Sequence, residues 1–186
     1  NSTQPPPEVE AQTYTLDREM AREGSGGLFD FINETGSYEG KIIEAKAMVA
    51  KTGAQGITLK FVSNEGKVAN YLTLYTVNAG GEVIYGQKQL NALMVCLNQQ
   101  HLKHVERTVT VYNTSTRQEE SEKAMIYPDL CNKPIGLFLQ REEYLSSYGE
   151  IKVQMNFYAA FDVVTKRTAI EILDNTNATA LDKMNK

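Results

Sequence analysis

The sequence predicts a single, mainly β domain with helices. Apolar and polar residues alternate in three consecutive runs between positions 41 and 77, which is the period of half-buried strands. A leucine stripe at helical spacing follows between 87 and 99, and two more alternating runs lie between 135 and 161. With 186 residues, of which 41% are hydrophobic, the chain is long enough to bury one sizeable core.

The chain is divided by composition into a leader, residues 1–27, and a domain, residues 28–186. Three consecutive prolines, Pro5–Pro7, and the glycine-rich segment 24–27 favour an extended, flexible leader. The apolar cluster Leu28–Ile32 is expected to dock on the domain.

The first three strands are expected to form a meander, because turn-forming residues at 52–56 and 64–67 separate the three alternating runs. In the first run the apolar set is predicted to face inward and to alternate with Glu44, Lys46 and Met48: Ile43, Ala45, Ala47 and Val49. The outward positions of the three strands carry polar, basic and aromatic side chains: Lys46, Thr58, Lys60, Tyr71, Thr73 and Tyr75.

The leucine stripe, Leu90, Leu93, Met94 and Leu97, predicts an amphipathic helix whose apolar side packs on the core. The same stripe could serve a protein partner, although leucines at this spacing are more often core residues.

The second half of the chain is predicted to hold two more main strands. A short β-branched run at 108–112 leads into a polar segment, 113–123, which is expected to be a solvated, mobile loop or a mobile hairpin tip. Alternating runs at 135–139 and 153–161 are separated by a turn at 146–149. Residues 169–186 are expected to form one or two short helices.

Residue types favour binding over catalysis. There is no phosphate-binding glycine loop, nucleophile elbow or zinc-binding H-E-x-x-H motif. Two cysteines and two histidines, Cys96, Cys131, His101 and His104, leave a disulfide or a metal site open, but half-buried thiols are the favoured interpretation. We therefore expect no enzyme activity, no cofactor and no metal, with an unrecognised carboxylate site as the remaining enzymatic alternative.

The order of three strands, a helix and further strands is typical of the OB-fold, a five-stranded Greek-key barrel that binds single-stranded nucleic acids. Here it would carry an inserted helix and a helical C-terminal segment. Such a site needs aromatic rings for base stacking and Lys or Arg for the phosphates. Besides the outward residues of the meander, the candidates are Lys152, Gln154 and Tyr158, the cluster Lys103, His104 and Arg107, and the pair Lys133 and Arg141. For any one tyrosine, simple preference for β geometry is the favoured explanation.

Several segments resemble phage-encoded single-stranded-DNA-binding proteins. They are Tyr38–Ala45 (YEGKIIEA), Lys51–Gly53 (KTG), Gln89–Met94 (QLNALM), Phe161–Thr165 (FDVVT) and Thr168–Leu173 (TAIEIL). The resemblance extends over about residues 36–181, and its motifs are patterns of glycine, apolar alternation and turn residues.

The resemblance implies an OB-type core that binds single-stranded DNA without sequence preference or cofactor during phage replication, recombination or repair. It would work in the cytoplasm of the bacterial host, with phage or host recombination and replication proteins as partners and oligomers possible. The contact residues it implies are Lys46, Lys51, Lys60, Tyr71, Tyr75, Lys152 and Tyr158. Many such proteins end in an acidic tail that recruits partners, whereas this sequence ends in Leu181-Asp182-Lys183-Met184-Asn185-Lys186.

The formal net charge of -4 makes binding over the whole surface unfavourable. We expect the acidic residues to gather in the leader and in loops at 119–122 and 142–143, so that Lys46, Lys60 and Lys152 share faces with the tyrosines. The sequence lacks an apolar run that could span a membrane and the pattern of a signal peptide, which favours a soluble, intracellular protein. The rival function is a phage accessory module that binds proteins through Leu28–Ile32 or the exposed sheet.

Overall fold

The fold is mainly β, as the alternating pattern predicts. A computed structural model describes residues 11–17, 21, 30–113 and 115–186, without the side chain of Tyr112. Its strands are β1 Gly36–Val49, β2 Gln55–Ser63, β3 Val68–Val77, β4 Val105–Asn113, β5 Gln118–Ile126, β6 Pro134–Leu145 and β7 Ile151–Phe161. Its helices are α1 Tyr85–Cys96, α2 Ala169–Asp174 and α3 Ala180–Met184, with a short 3-10 helix at Pro128–Leu130.

The seven strands form one open antiparallel sheet centred on β1. One edge of β1 pairs with β2, and β2 pairs with β3, so the predicted meander is confirmed. The other edge of β1 is shared between two hairpins: its residues 36–41 pair with β6, and Lys46 pairs with Ile126 of β5. The expectation of five strands is wrong for this sheet, because the segment 105–126 adds a hairpin of its own.

That additional hairpin, β4–β5, corrects the loop interpretation of 113–123 and agrees with the alternative of a hairpin tip, although much of the segment is a strand. Residues 118–123 belong to β5 and pair with β4 along their length. Both faces of residues 118–123 are exposed, so their charged side chains show no hydrophobic alternation. In the whole of β5, Ala124 is the one buried residue. Without a buried face, a strand carries no period of two that a sequence pattern could reveal.

The other hairpin, β6–β7, extends beyond the body of the protein. Its inner part, around Ile135, Leu137 and Leu139, is fully buried, whereas β6 from Gln140 onward is exposed and lies beyond the pairing with β1. We call residues 140–156 of this hairpin the arm.

The core lies between the inward face of the sheet and α1. Phe61, Leu72, Leu74 and Leu93 are among its fully buried side chains. Leu97 is also buried, and Leu90 packs against the same cluster, which confirms that the leucine stripe serves the core. A β-bulge at Ile43 shifts the alternation of β1, so Ile42 is buried in the position expected for Ile43.

The residues just before β1 and the C-terminal helices contact the body, whereas residues 11–17 are exposed. Ile32 is buried and Phe31 bridges to Val68, as expected of the end of the predicted docking cluster. The leader through residue 10, the glycines at 24–27 and the residues Leu28 and Phe29 lie outside the described residues. At the other end, α2 and α3 form the expected short helices, and none of the helices described is long and apolar enough to cross a membrane.

Candidate functional site

The outward side of the β1–β2–β3 meander brings most of the predicted contact residues onto one surface. Because residues directly opposite in a sheet share a face, the pairing of Lys46 with Thr58 and of Thr58 with Thr73 places those three side chains in one row. The next row contains Met48, Gly56 and Tyr75. We call this surface the meander face: Glu44, Lys46, Met48, Thr58, Lys60, Tyr71, Thr73 and Tyr75.

Tyr71 is the most unusual residue of the meander face. Leu59 pairs with Leu72 and Phe61 pairs with Ala69, so two residues of β3, Asn70 and Tyr71, oppose Lys60 alone. Tyr71 has a φ of 57°, in the left-handed region that a bulky residue avoids, and its side chain is 82% exposed. A bulge of this kind re-aims a side chain, and here it directs an aromatic ring into solvent.

Tyr75 lies at the other end of the meander face, where α1 supports its backbone. A Cβ on Gly86 would come within 2.0 Å of the Tyr75 carbonyl oxygen, so only glycine permits this approach. The Tyr75 side chain is 41% exposed. Between the two rings, the hydroxyls of Thr58 and Thr73 are 3.2 Å apart and hydrogen-bonded, which joins β2 to β3 on the outward side.

The charge of the meander face is mixed, and this corrects the expected separation of acidic and basic residues. Glu44 is directly opposite Lys60. The ammonium group of Lys46 lies 3.8 Å from a carboxylate oxygen of Glu122, which reaches it from β5. Alternation places Glu44 on the same side of β1 as Lys46, as the structure shows, whereas Glu122 was expected in a loop and not beside Lys46.

The remaining predicted residues lie outside the meander face, in five other places. Lys152 and Tyr158 lie on β7, where the Tyr158 ring makes an edge contact with Phe138 at 5.7 Å between centroids. Arg141 pairs with Glu143 at 2.6 Å on the arm and, because it lies opposite Met155, faces the other side from Lys152. Lys51 is exposed in the β1–β2 turn.

Lys103 and Arg107 lie at the start of the β4–β5 hairpin. Lys103 is exposed before β4, and its backbone N–H donates to Asp129. Arg107 is on β4, two residues from Val105; since Val105 pairs with Ile126 and Ile126 with Lys46, Arg107 shares the side of the sheet that carries Lys46. The third basic candidate, Lys133, donates its ammonium group to the carbonyl of Asp129 at 2.8 Å.

The two cysteines form no disulfide with each other, and their surroundings do not favour a reactive thiolate. Cys96 and Cys131 are free, and burial raises the pKa of the Cys96 thiol to about 12 and also raises that of Cys131. Such thiols stay protonated at neutral pH. Among the residues that the structure describes, no group of three or more His, Cys, Asp or Glu side chains could hold a metal ion.

Two clefts open on the described surface. The larger, about 470 Å³, lies between the end of the meander and α1, where Ile57, Val77, Leu90, Met94 and Tyr127 contribute to its wall. The smaller, about 340 Å³, lies beside Glu39, Glu65, Lys166 and Leu181, where the C-terminal segment meets β1. Neither cleft contains the tyrosines of the meander face.

No protein-family model matches this chain, and a search of curated proteins found no matching sequence.

Proposed function

We propose that this protein binds single-stranded DNA, without sequence preference and without catalysis, across the meander face. The observation that carries the proposal is Tyr71, an exposed ring held by a β-bulge in a left-handed conformation. Such a conformation costs about 1 to 3 kcal/mol, persists only where the surrounding structure enforces it, and is enriched at functional sites. A base stacked on an exposed ring contributes about 1 to 3 kcal/mol, so Tyr71 and Tyr75 together would supply a useful share of the affinity.

The connectivity supports an OB-type barrel as the architecture behind this function. In that fold a three-stranded meander is followed by a helix and by a hairpin that returns to the first strand. Here β6 returns to β1, and β7 contacts β3 without pairing with it. The β4–β5 hairpin is then an insertion between α1 and β6.

On this proposal the protein is one that a phage uses in replication, recombination or repair, in the cytoplasm of its bacterial host. The resemblance of the segments around Tyr38–Ala45 and Gln89–Met94 to phage single-stranded-DNA-binding proteins supports this assignment.

Fluorescence anisotropy of a labelled oligothymidine, titrated with the protein at low and at moderate salt, tests the proposal. We expect saturable binding that weakens as salt rises, because released counterions drive association with phosphates. Tyr71→Ala and Tyr75→Ala should each weaken binding about 5-fold to 150-fold, the equivalent of about 1 to 3 kcal/mol. Tyr148→Ala is the matched control, since Tyr148 is 89% exposed at the tip of the arm, away from the meander face.

Two results would overturn the proposal. One is the absence of salt-dependent binding to the oligonucleotide. The other is equal affinity of the Tyr71, Tyr75 and Tyr148 variants, which would place the contact surface elsewhere.

The acids on the meander face favour a second candidate, a protein-binding module. Glu44 and Glu122 oppose the lysines there and would repel phosphates, whereas mixed charge with exposed tyrosines is common in protein interfaces. This candidate predicts a protein partner whose capture is lost in Tyr71→Ala and is unaffected by nuclease treatment.

A further inference from the structure

The outer edge of β7 carries backbone groups that point away from β6. In an antiparallel pair, residues alternate between exchanging both hydrogen bonds with the partner strand and directing both outward. Ser146 donates its N–H to Glu150 at 2.8 Å, which makes them a bonded pair at the turn. Counting from that pair along the register, Ile151, Val153 and Met155 direct their N–H and C=O groups outward.

Two further contacts agree with this count. The N–H of Arg141, opposite Met155, points away from β7 and donates to Thr35, and the carbonyl of Phe157 points away from β6 and accepts from Gln89 of α1. Gln89 therefore closes the edge at Phe157. From Ile151 to Met155 no strand other than β6 pairs with β7 among the described residues.

The side chains of this open edge alternate between apolar and polar. Ile151 is 73% exposed and Val153 is 41% exposed, and Leu145 lies beside Ile151 across the hairpin. Lys152 and Gln154 occupy the other side of the arm, where the Gln154 amide donates to Glu142 at 2.8 Å. An open, alternating edge of this kind is a template for pairing with another strand.

We propose that two copies of this chain associate by antiparallel pairing of β7 with β7 over residues 151–155, with Val153 opposite Val153 of the second copy. The two hairpins then form a continuous four-stranded sheet. The pairing is isologous, so each contact occurs twice. It rests on the arm alone and is independent of the proposed DNA binding.

The charges on the arm select the second copy as the occupant. In this register Lys152 is opposite Gln154 of the other copy. The next side chain in the same row is Glu142 of that other copy, whose carboxylate accepts a hydrogen bond from Gln154. Each lysine is thus aligned with a carboxylate of the other copy, and the long lysine side chain can span the intervening strand. Ile151 lies opposite Met155, whose side chain is 7% exposed and packs in the core of its own copy, so Ile151 and Val153 supply the apolar side chains of this contact.

Neighbouring registers are less favourable. Centring the pair on Lys152 would place two ammonium groups directly opposite each other, which destabilises a sheet. Centring it on Gln154 would require the edge at Phe157, where Gln89 is already bound.

Sedimentation velocity of the full chain at low salt, without nucleic acid and over a wide range of protein concentration, tests the inference. We expect the mass to rise toward twice the monomer value with concentration. Val153→Pro removes an outward N–H while leaving the bonds to β6 intact, so this variant should remain a monomer. Val153→Thr keeps both the N–H and the β-branched shape and should still form dimers.

A charge reversal provides a test that does not depend on the proline variant folding. Lys152→Glu alone and Glu142→Lys alone should each shift the association toward monomer, because each creates two like-charge contacts in the pair. An equimolar mixture of the two variants restores opposite charges in both contacts and should form a heterodimer. A monomeric wild type at every concentration, a dimeric and folded Val153→Pro, or a mixture that stays monomeric would each overturn the inference.

Discussion

Tyr71 shows how a single residue can be placed by its neighbours against its own conformational preference. The bulge leaves Asn70 and Tyr71 opposite Lys60, and the flanking pairs on either side fix the backbone between them. The exposed ring gains little from packing, so the left-handed conformation is a net cost to the folded state.

Replacing Tyr71 with glycine should therefore not destabilise the protein. We expect the free energy of unfolding of Tyr71→Gly, measured by urea denaturation, to equal that of the wild type or exceed it by about 1 kcal/mol, because glycine adopts a positive φ without strain. Tyr75→Gly, on the same strand and without a positive φ, should instead lose about 1 kcal/mol. A loss in Tyr71→Gly as large as that in Tyr75→Gly would show that the Tyr71 backbone is unstrained.

Among the elements, α1 is joined to the sheet through its first turn. Gly86 lies in this first turn and is buried against the backbone of Tyr75. The helix continues from Gln87 to Leu93, whose side chain is buried in the core. The position of the helix thus depends on the absence of one side chain.

A methyl group at position 86 should displace the helix. In Gly86→Ala the new Cβ would meet the Tyr75 carbonyl at 2.0 Å, and we expect a loss of about 1 to 3 kcal/mol, the usual cost of overpacking. Thermal denaturation followed by circular dichroism measures it. Gly36→Ala is the control, since the nearest atom to its Cβ would be 3.9 Å away, and its melting temperature should stay close to that of the wild type.

The sequence predicted every element with one buried face and missed β5, which is almost entirely exposed. Strands β1 to β3, β6, β7 and helix α1 bury one side, so their hydrophobic periods were visible. Most of β5 is exposed on both sides and forms only because β4 pairs with it. Because β5 was not expected, its Glu122 was not expected beside Lys46. Bulges at Ile43 and Tyr71 also shift the register by amounts that alternation cannot predict.

At the scale of the whole molecule, one carboxylate ties the C-terminal segment together. Glu171 is buried and accepts hydrogen bonds from the N–H groups of Thr179, Ala180 and Thr168, at 2.7, 3.1 and 3.0 Å. These bonds lower the pKa of Glu171 to about 2, and the bond from the Thr179 N–H has the largest effect. The segment then reaches β1, where Ser37 donates to Asn185 and Lys166 pairs with Glu39.

The depressed pKa determines how this contact responds to acid. A carboxylate whose pKa is lower in the folded than in the unfolded state stabilises the fold above its unfolded pKa and loses that effect as pH falls. The contribution of Glu171 should be complete above about pH 5 and decline between its ordinary value of 4.5 and about 2. Glu171→Gln should lower the free energy of unfolding by about 2 kcal/mol at neutral pH. It should also make that free energy fall less steeply as the pH is lowered, as measured by urea denaturation at several pH values. Asp174 is an exposed carboxylate on the same helix, so Asp174→Asn should change neither the free energy of unfolding at neutral pH nor its decline in acid.

The shared edge of β1 also bears on the order in which the protein can be assembled. β2, which pairs with one edge of β1, follows it directly in the chain. The partners of the other edge, β5 and β6, are synthesised only after α1 and β4. Contacts between such distant segments form late, because closing a long loop costs entropy before pairing returns any stabilisation. During synthesis, the middle strand of the finished sheet is therefore for a time an edge strand, with unpaired backbone groups open to other chains.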